Sequence, residues 1–90
     1  MLYRFKKIIN MDRKEIIEKL TVIFRDVMGN DEILLEDNTT AEDIEEWDSL
    51  AHVQLMEKIE TVFGLKFSAK EMMSWDDVGE FVDTIQEKLG

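Results

Sequence analysis

The spacing of apolar residues predicts a first amphipathic helix near the start of this 90-residue chain. Apolar side chains recur there at steps of three and four residues, as on one face of an α-helix. Asp12 is its predicted N-cap, with Glu15 as the capping-box partner, and Gly29 and Asn30 are expected to end it. The predicted apolar stripe consists of Ile16, Ile17, Leu20, Ile23, Phe24, Val27 and Met28.

A second long helix is predicted over about residues 49–63, where Gly64 stops it. Beyond it, Ser68 is expected to cap a single helical turn that carries Met72 and Met73. The predicted core stripe of the second helix consists of Leu50, Val53, Met56, Ile59 and either Val62 or Phe63.

A last helix is predicted near the end of the chain, capped by Ser74 or Asp76. The loop between the first two long helices, residues 31–47, is acidic and long for so small a domain, so we expect a few apolar anchors to fix it to the core. The predicted anchors are Ile33, Leu34, Leu35, Ile44 and Trp47. The inward side chains of the last helix are predicted to be Val78, Phe81, Val82, Ile85 and Leu89.

These elements predict an all-α fold, a small four-helix bundle of three main helices and one short helix with a long first loop. We divide the chain into an N-terminal extension, residues 1–10, and a single domain, residues 11–90. The absence of proline and the presence of only four glycines fit this fold.

The net charge limits the partners of the domain. The whole chain stands at −10, and residues 1–10 carry Arg4, Lys6 and Lys7 with no acid, which leaves −13 on residues 11–90. Such a surface repels nucleic acid and anionic membranes and favours basic protein partners. The sequence has no apolar run near the ~20 residues of a membrane span. With no cysteine it has no disulfide or thiolate metal site, which fits the reducing cytoplasm.

The tetrapeptide Trp-Asp-Ser-Leu at residues 47–50 carries the candidate chemistry, because it places one serine hydroxyl at the start of a helix. The chain has no cysteine and a single histidine, His52, so nothing beside Ser49 would make its hydroxyl a nucleophile unaided. This argues against an enzyme and for a serine that is modified. The alternative is an acidic helical interaction module, in which Asp48 or Ser49 is only an N-cap.

The acidic clusters of the long loop invite a metal interpretation, which we reject. They consist of Glu36, Asp37 and Asn38, and of Glu42 and Asp43. An EF-hand needs a central glycine, and residues 31–47 contain none, so no metal site is predicted.

Three segments at matching separations resemble the acyl carrier protein family over about residues 13–89. They are Asp-Ser-Leu at 48–50, Phe-Gly-Leu-Lys-Phe at 63–67 and Asp-Val-Gly-Glu at 77–80. The resemblance implies that Ser49 accepts a covalent 4′-phosphopantetheine from coenzyme A and then carries acyl or aminoacyl groups as thioesters. It also implies that Asp48 helps the phosphopantetheinyl transferase to place its metal ion and coenzyme A. Leu50 would anchor the helix start and dock against partners.

The resemblance further implies a monomeric cytoplasmic carrier that serves a loading ligase and downstream acyl-processing enzymes. For partner docking we expect Trp47, His52, Glu57 and Glu60. Fatty-acid carriers usually have a glycine two residues before Asp-Ser-Leu, whereas Glu46 and Trp47 precede it here. Ala51 and Gln54 stand where those carriers often have acids. The sequence is closer to discrete carriers of polyketide, nonribosomal peptide or surface-polysaccharide assembly than to those of housekeeping fatty-acid synthesis.

Several residues of this region have a second interpretation. His52 is either a contact of the arm or of a docked enzyme, or a solvated helix residue, which we favour. Trp47 and Trp75 are partner contacts or loop pins. The methionines line an adaptable cleft or, as helical spacing favours, belong to the core; they are Met56, Met72 and Met73.

Overall fold

Four α-helices form along residues 11–89, the part of the chain that the computed structural model describes. They are α1 (Arg13–Met28), α2 (Ser49–Phe63), α3 (Ala69–Met72) and α4 (Val78–Leu89). The loop after α1 also contains a 3₁₀ turn, Ala41–Asp43, that the sequence did not predict. Residues 11–89 contain no β-strand, so the all-α prediction is confirmed. The predicted N-terminal extension, residues 1–10, lies outside the described residues.

Local signals set the ends of the long helices as predicted. Asp12 Oδ1 accepts the Glu15 N–H at 2.8 Å, and the Glu15 carboxylate accepts the Asp12 N–H at 3.2 Å, which completes the capping box. Gly29 and Gly64 end α1 and α2 in the left-handed conformation, with φ of 67° and 68°. Glycine adopts this conformation without the steric penalty that a side chain brings.

The core lies where α1 packs against α2 and α4. All the predicted inward residues of α4 are buried, and most of the α1 stripe is buried too, with Ile17 and Val27 half-buried. The least exposed side chains are Phe24, Phe81, Ile16, Leu20, Leu55, Met56, Ile59, Ile85, Val78 and Val82. Burying one such side chain contributes about 1.5–3 kcal/mol, so these contacts dominate the stability of the domain.

The predicted core face of α2 is right in part, because Met56 and Ile59 are buried and Phe63 is half-buried against the core, whereas its other members are exposed. Leu50, Val53 and Val62 are 68 %, 56 % and 45 % exposed. The buried residues of this helix are Ala51, Leu55, Met56 and Ile59. Residues spaced by three rotate about 60° per step around an α-helix, so the predicted set from Leu50 to Val62 does not share one face. Residues spaced by four, such as Ala51, Leu55 and Ile59, rotate only about 40° per step, so they share one face of α2 and can pack together against α1.

The long loop is fixed to the core by Ile33, Leu35 and Ile44, which are buried as predicted. The predicted anchor Leu34 is wrong, since it is 75 % exposed. Side chains alternate between opposite sides of an extended segment, so Leu34 points away when its two neighbours point inward.

The loop also pairs its backbone with the first turn of α4. The Val78 N–H donates to the Thr39 carbonyl at 2.9 Å, and the Gly79 N–H donates to the Asp37 carbonyl at 2.7 Å. Arg13 reinforces this contact, because its guanidinium donates to the Gly79 carbonyl at 3.0 Å and pairs with Asp37 at 3.4 Å. Two backbone donors that α4 itself cannot satisfy are thereby paired.

Capping of the last two helices is partly as predicted. Ser68 and Glu71 form a capping box at α3, which confirms Ser68 as its cap. The prediction of Ser74 or Asp76 for α4 is wrong, because Asp77 Oδ1 accepts the Glu80 N–H at 2.9 Å. The Ser74 hydroxyl instead donates to the Glu71 carbonyl at 3.0 Å, where α3 ends.

We predict that Gly79→Ala destabilises the domain although alanine is the better helix former. A Cβ at residue 79 would lie 2.9 Å from the Asp37 carbonyl oxygen and 3.3 Å from Asp77 Oδ1, so the loop must move. The expected loss is about 1–3 kcal/mol in the free energy of unfolding, measured with urea. Glu87→Ala, an exposed site on the same helix, should stay within about 0.5 kcal/mol of the parent. A Gly79→Ala protein as stable as the parent would contradict this packing.

Acid should weaken the attachment of α3. The Ser68 N–H donates to the Glu71 carboxylate and, with Lys88 at 3.1 Å, holds the pKa of Glu71 below its ordinary value. A pKa lowered by folding gives stability that is present above the ordinary pKa and is lost as the pH falls through the folded one. We predict that, between about pH 6 and pH 3, the parent loses more stability in urea than Glu71→Gln does. The charge-matched control Glu87→Gln should follow the parent, and parallel curves for all three proteins would refute the assignment.

Candidate functional site

Ser49 is the first residue of α2 and is exposed at the N-terminus of that helix. The residue before it, Asp48, is the N-cap, and its Oδ1 accepts the Ala51 N–H at 2.8 Å. Within residues 11–89 the Ser49 hydroxyl makes no hydrogen bond. The N-cap interpretation therefore holds for Asp48 and is wrong for Ser49, whose hydroxyl is left free to react.

The backbone around Ser49 favours a negative group. In the described part of the chain the N–H groups of Ser49 and Leu50 have no acceptor, while that of His52 donates to the Asp48 carbonyl at 2.9 Å. Free N–H groups and the positive end of the helix dipole together make a helix start favourable for a phosphate. A phosphodiester on Ser49 would thus be stabilised at one point of a chain whose net charge is −10.

His52 joins the Ser49 helix to two other elements. Its Nδ1 accepts the indole N–H of Trp47 at 3.1 Å, and its Nε2 lies 2.8 Å from the Met72 carbonyl oxygen at the end of α3. Trp47 in turn packs edge-on against Phe24 of α1, with 5.0 Å between ring centroids. The favoured interpretation of His52 as a solvated helix residue is therefore wrong, and Trp47 is a loop pin. Docking by either residue stays a prediction.

A cleft of about 590 Å³ lies beside Ser49, between the start of α2, the end of α3 and the start of α4. Trp75 forms one wall, stacked at 4.3 Å on Phe81, and its indole N–H donates to the Thr84 hydroxyl at 2.8 Å. Trp75 is thus pinned as Trp47 is. The lining is mainly apolar and consists of Ala41, Trp47, Asp48, Ser49, His52, Val53, Met72, Met73, Trp75, Asp76, Asp77 and Phe81.

Three exposed apolar side chains lie around Ser49, and sequence reasoning missed their exposure. They are Leu50, Val53 and Met73, the last 87 % exposed. The prediction that Leu50 anchors the helix start is therefore wrong. Of the methionines assigned to the core, Met56 is buried as predicted, whereas Met73 is not in the core and Met72 is half-buried at the cleft.

The acids of α2 differ in their surroundings. Glu57 is exposed to solvent, whereas the Glu60 carboxylate accepts the Phe67 N–H at 2.8 Å and so fixes the connector that follows α2. This internal bond was not predicted, and the docking roles of both acids stay predictions. Across residues 11–89 no three histidine, aspartate or glutamate side chains are grouped so as to hold a metal ion.

The described helices include none long and apolar enough to cross a membrane. What the site offers is a free hydroxyl at a helix start, unpaired backbone donors beside it and an apolar cleft next to it. These features fit a phosphate-linked arm with an uncharged chain, held at Ser49.

Comparison with known proteins agrees with this geometry. The family described as "Phosphopantetheine attachment site" matches residues 18–85. An acyl carrier protein of Rubrobacter xylanophilus is 34 % identical over 77 residues, which cover 86 % of this chain and 95 % of that protein. The solution structure of the holo acyl carrier protein of Geobacter metallireducens superposes with a TM-score of 0.76 at 38 % identity, over 81 % of this chain and 84 % of the other.

We predict that the Asp48 cap is a measurable part of the stability of the site. Asp48→Ala leaves the Ala51 N–H without its acceptor and should lower the free energy of unfolding by about 1 kcal/mol. Asp48→Asn is the matched control, because asparagine caps helices about as well as aspartate does. Equal urea midpoints for Asp48→Ala and the parent would show that this bond does not stabilise α2.

Proposed function

This chain belongs to the acyl carrier protein family, and on that premise we propose that Ser49 is the residue that carries its 4′-phosphopantetheine arm. The arm supplies a terminal thiol, which holds acyl groups as thioesters and which a chain without cysteine does not otherwise have. The protein is then a carrier rather than a catalyst, and its cargo is processed by other enzymes.

The free hydroxyl of Ser49 is the observation that carries the proposal. The two other serines of the chain are engaged, since the Ser68 hydroxyl accepts the Glu71 N–H at 3.1 Å and the Ser74 hydroxyl donates to the Glu71 carbonyl. Among residues 11–89, only Ser49 combines an exposed serine hydroxyl with the start of a helix of more than one turn. This supports Ser49 as the attachment site over either alternative.

The transfer requires a proton acceptor, and within residues 11–89 no side chain is hydrogen-bonded to the Ser49 hydroxyl to serve as one. Ser49 Oγ forms a bond to the phosphorus of the pantetheine phosphate and the bond from that phosphorus to the bridging oxygen breaks. The nucleotide part of coenzyme A leaves with that oxygen and the electron pair, and the hydroxyl proton passes to a base. We assign the proton acceptor and the metal ion to a phosphopantetheinyl transferase. The Asp48 Oδ1 caps α2 while its Oδ2 makes no hydrogen bond within residues 11–89, which supports a role for Asp48 in helping the transferase to place the metal ion and coenzyme A.

The surface around Ser49 supports docking of partner enzymes. Leu50, Val53 and Met73 offer exposed apolar area, and Glu57 adds a negative charge further along α2. Exposed apolar side chains next to a negative charge suit a partner whose surface has an apolar patch beside basic residues. We propose that a loading ligase and downstream acyl-processing enzymes use this surface, in the cytoplasm, with the carrier as a monomer.

Intact-mass measurement tests the attachment site. We predict that the parent, incubated with coenzyme A, magnesium and a promiscuous phosphopantetheinyl transferase, gains one phosphopantetheine, and that Ser49→Ala gains none because the accepting oxygen is gone. Ser74→Ala is the matched control and should be modified like the parent. Modification of Ser49→Ala, or none of a folded parent with two different transferases, would overturn the proposal.

A further inference from the structure

We propose that His52 is a specificity-determining residue, whose bridge between Trp47 and the Met72 carbonyl limits the size of the acyl group that the cleft beside Ser49 takes. The inference rests on the proposed function for its cargo and on the geometry of His52 for its mechanism. His52 takes no part in the thioester chemistry; it acts by holding α3 in position.

The hydrogen-bond partners of His52 determine which of its ring nitrogens carries the proton. Nδ1 faces an indole N–H, which only donates, so Nδ1 is the acceptor and carries no proton. The proton of the neutral ring then lies on Nε2 and is donated to the Met72 carbonyl. Each ring nitrogen has one partner, and the two partners belong to the Ser49-side loop and to α3. The imidazole is thus a rigid spacer between them.

The short helix α3 depends on such outside contacts. It has four residues, too few to be stable as an isolated helix. On the α4 side, Lys88 pairs with Glu71 at 3.1 Å. On the α2 side, Met72 is half-buried and Met73 is 87 % exposed, so little apolar burial holds α3 against the Ser49 helix. The His52 bridge therefore sets the position of α3 on that side.

The residues that the His52 bridge holds in place also line the cleft. Met72 at the end of α3 and Met73 directly after it line the cleft together with Ser49 and Val53 of α2, and the His52 side chain joins the two helices. Methionine side chains adapt to occupants of different shape, so this wall can follow a displacement of α3. Releasing the bridge would widen the cleft at the end nearest Ser49.

The lining also indicates the charge of the cargo. Asp48, Asp76 and Asp77 are among the residues that line the cleft, and no lysine or arginine is among the described residues that do so. A cargo that ends in a carboxylate would meet like charges without a counter-ion, which is unfavourable in a partly desolvated site. We therefore infer that the cleft takes uncharged acyl groups.

Amide hydrogen exchange of the unmodified protein tests the bridge. His52→Phe keeps a flat ring and loses both hydrogen bonds, so exchange at residues 72–74 should become about tenfold faster, with α1 unchanged. His52→Gln, which retains one acceptor and one donor, should show a smaller increase. The matched control is Gln54→Ala, an exposed site on the same helix, which should behave like the parent. Parental exchange at residues 72–74 in both His52 variants would overturn the mechanism.

Thioester protection in the holo protein tests the specificity. The protein is loaded with saturated acyl groups from acetyl to decanoyl, and the rate of cleavage by hydroxylamine is measured for each. We expect protection in the parent to stop increasing at a certain chain length, and that limit to move to longer acyl groups in His52→Phe. An unchanged limit would overturn the role of His52 while leaving the carrier function intact. A parent that accepts no arm would instead overturn the proposed function, and with it the cargo part of this inference.

Discussion

The pairing of the long loop with the first turn of α4 is the constraint on which the rest of the domain depends. The loop that ends at Asp48 has to bring Ser49 to the edge of a three-helix core while its own backbone groups stay paired. It does this by giving the carbonyls of Asp37 and Thr39 to two N–H groups of α4. Gly79 permits the close approach, since a side chain there would press on the Asp37 carbonyl. With the loop fixed at its middle, Trp47 can reach Phe24 and present Ser49 at the start of α2.

The core of the domain is held by stronger contacts than the site is. The contacts among α1, α2 and α4 bury many large side chains, each worth about 1.5–3 kcal/mol. The site is held by the packing of two tryptophans and by single hydrogen bonds of about 1 kcal/mol, such as the Asp48 cap and the two bonds of His52. A carrier needs this combination, because its core must stay folded while its attachment region meets several enzymes in turn. The exposed Leu50, Val53 and Met73 add apolar area outside the core, which the proposed docking of partner enzymes would use.

The sequence predicted the features that depend on neighbours three or four residues apart. The capping box of Asp12, the cap at Ser68 and the glycines after α1 and α2 are all local, and each was found where it was predicted. Apart from the cap of α4, which is Asp77 rather than Ser74 or Asp76, the errors concern which residues pack against which elements. α2 is apolar on two sides, and only the position of α1 decides that Leu55 is inside and Leu50 outside. The same holds for His52, whose partner in α3 is twenty residues away and carries no side-chain signal, because the acceptor is a backbone carbonyl.

The positions of the two tryptophans have a further consequence. Trp47 and Trp75 are the only tryptophans of the chain, and both line the cleft beside Ser49. One is bonded to His52, and the other is stacked on Phe81. All the indole fluorescence of this protein therefore originates in the walls of one cleft. The emission of the two tryptophans can thus report, without any label, on the filling of the cleft or its covering by a partner while the domain stays folded.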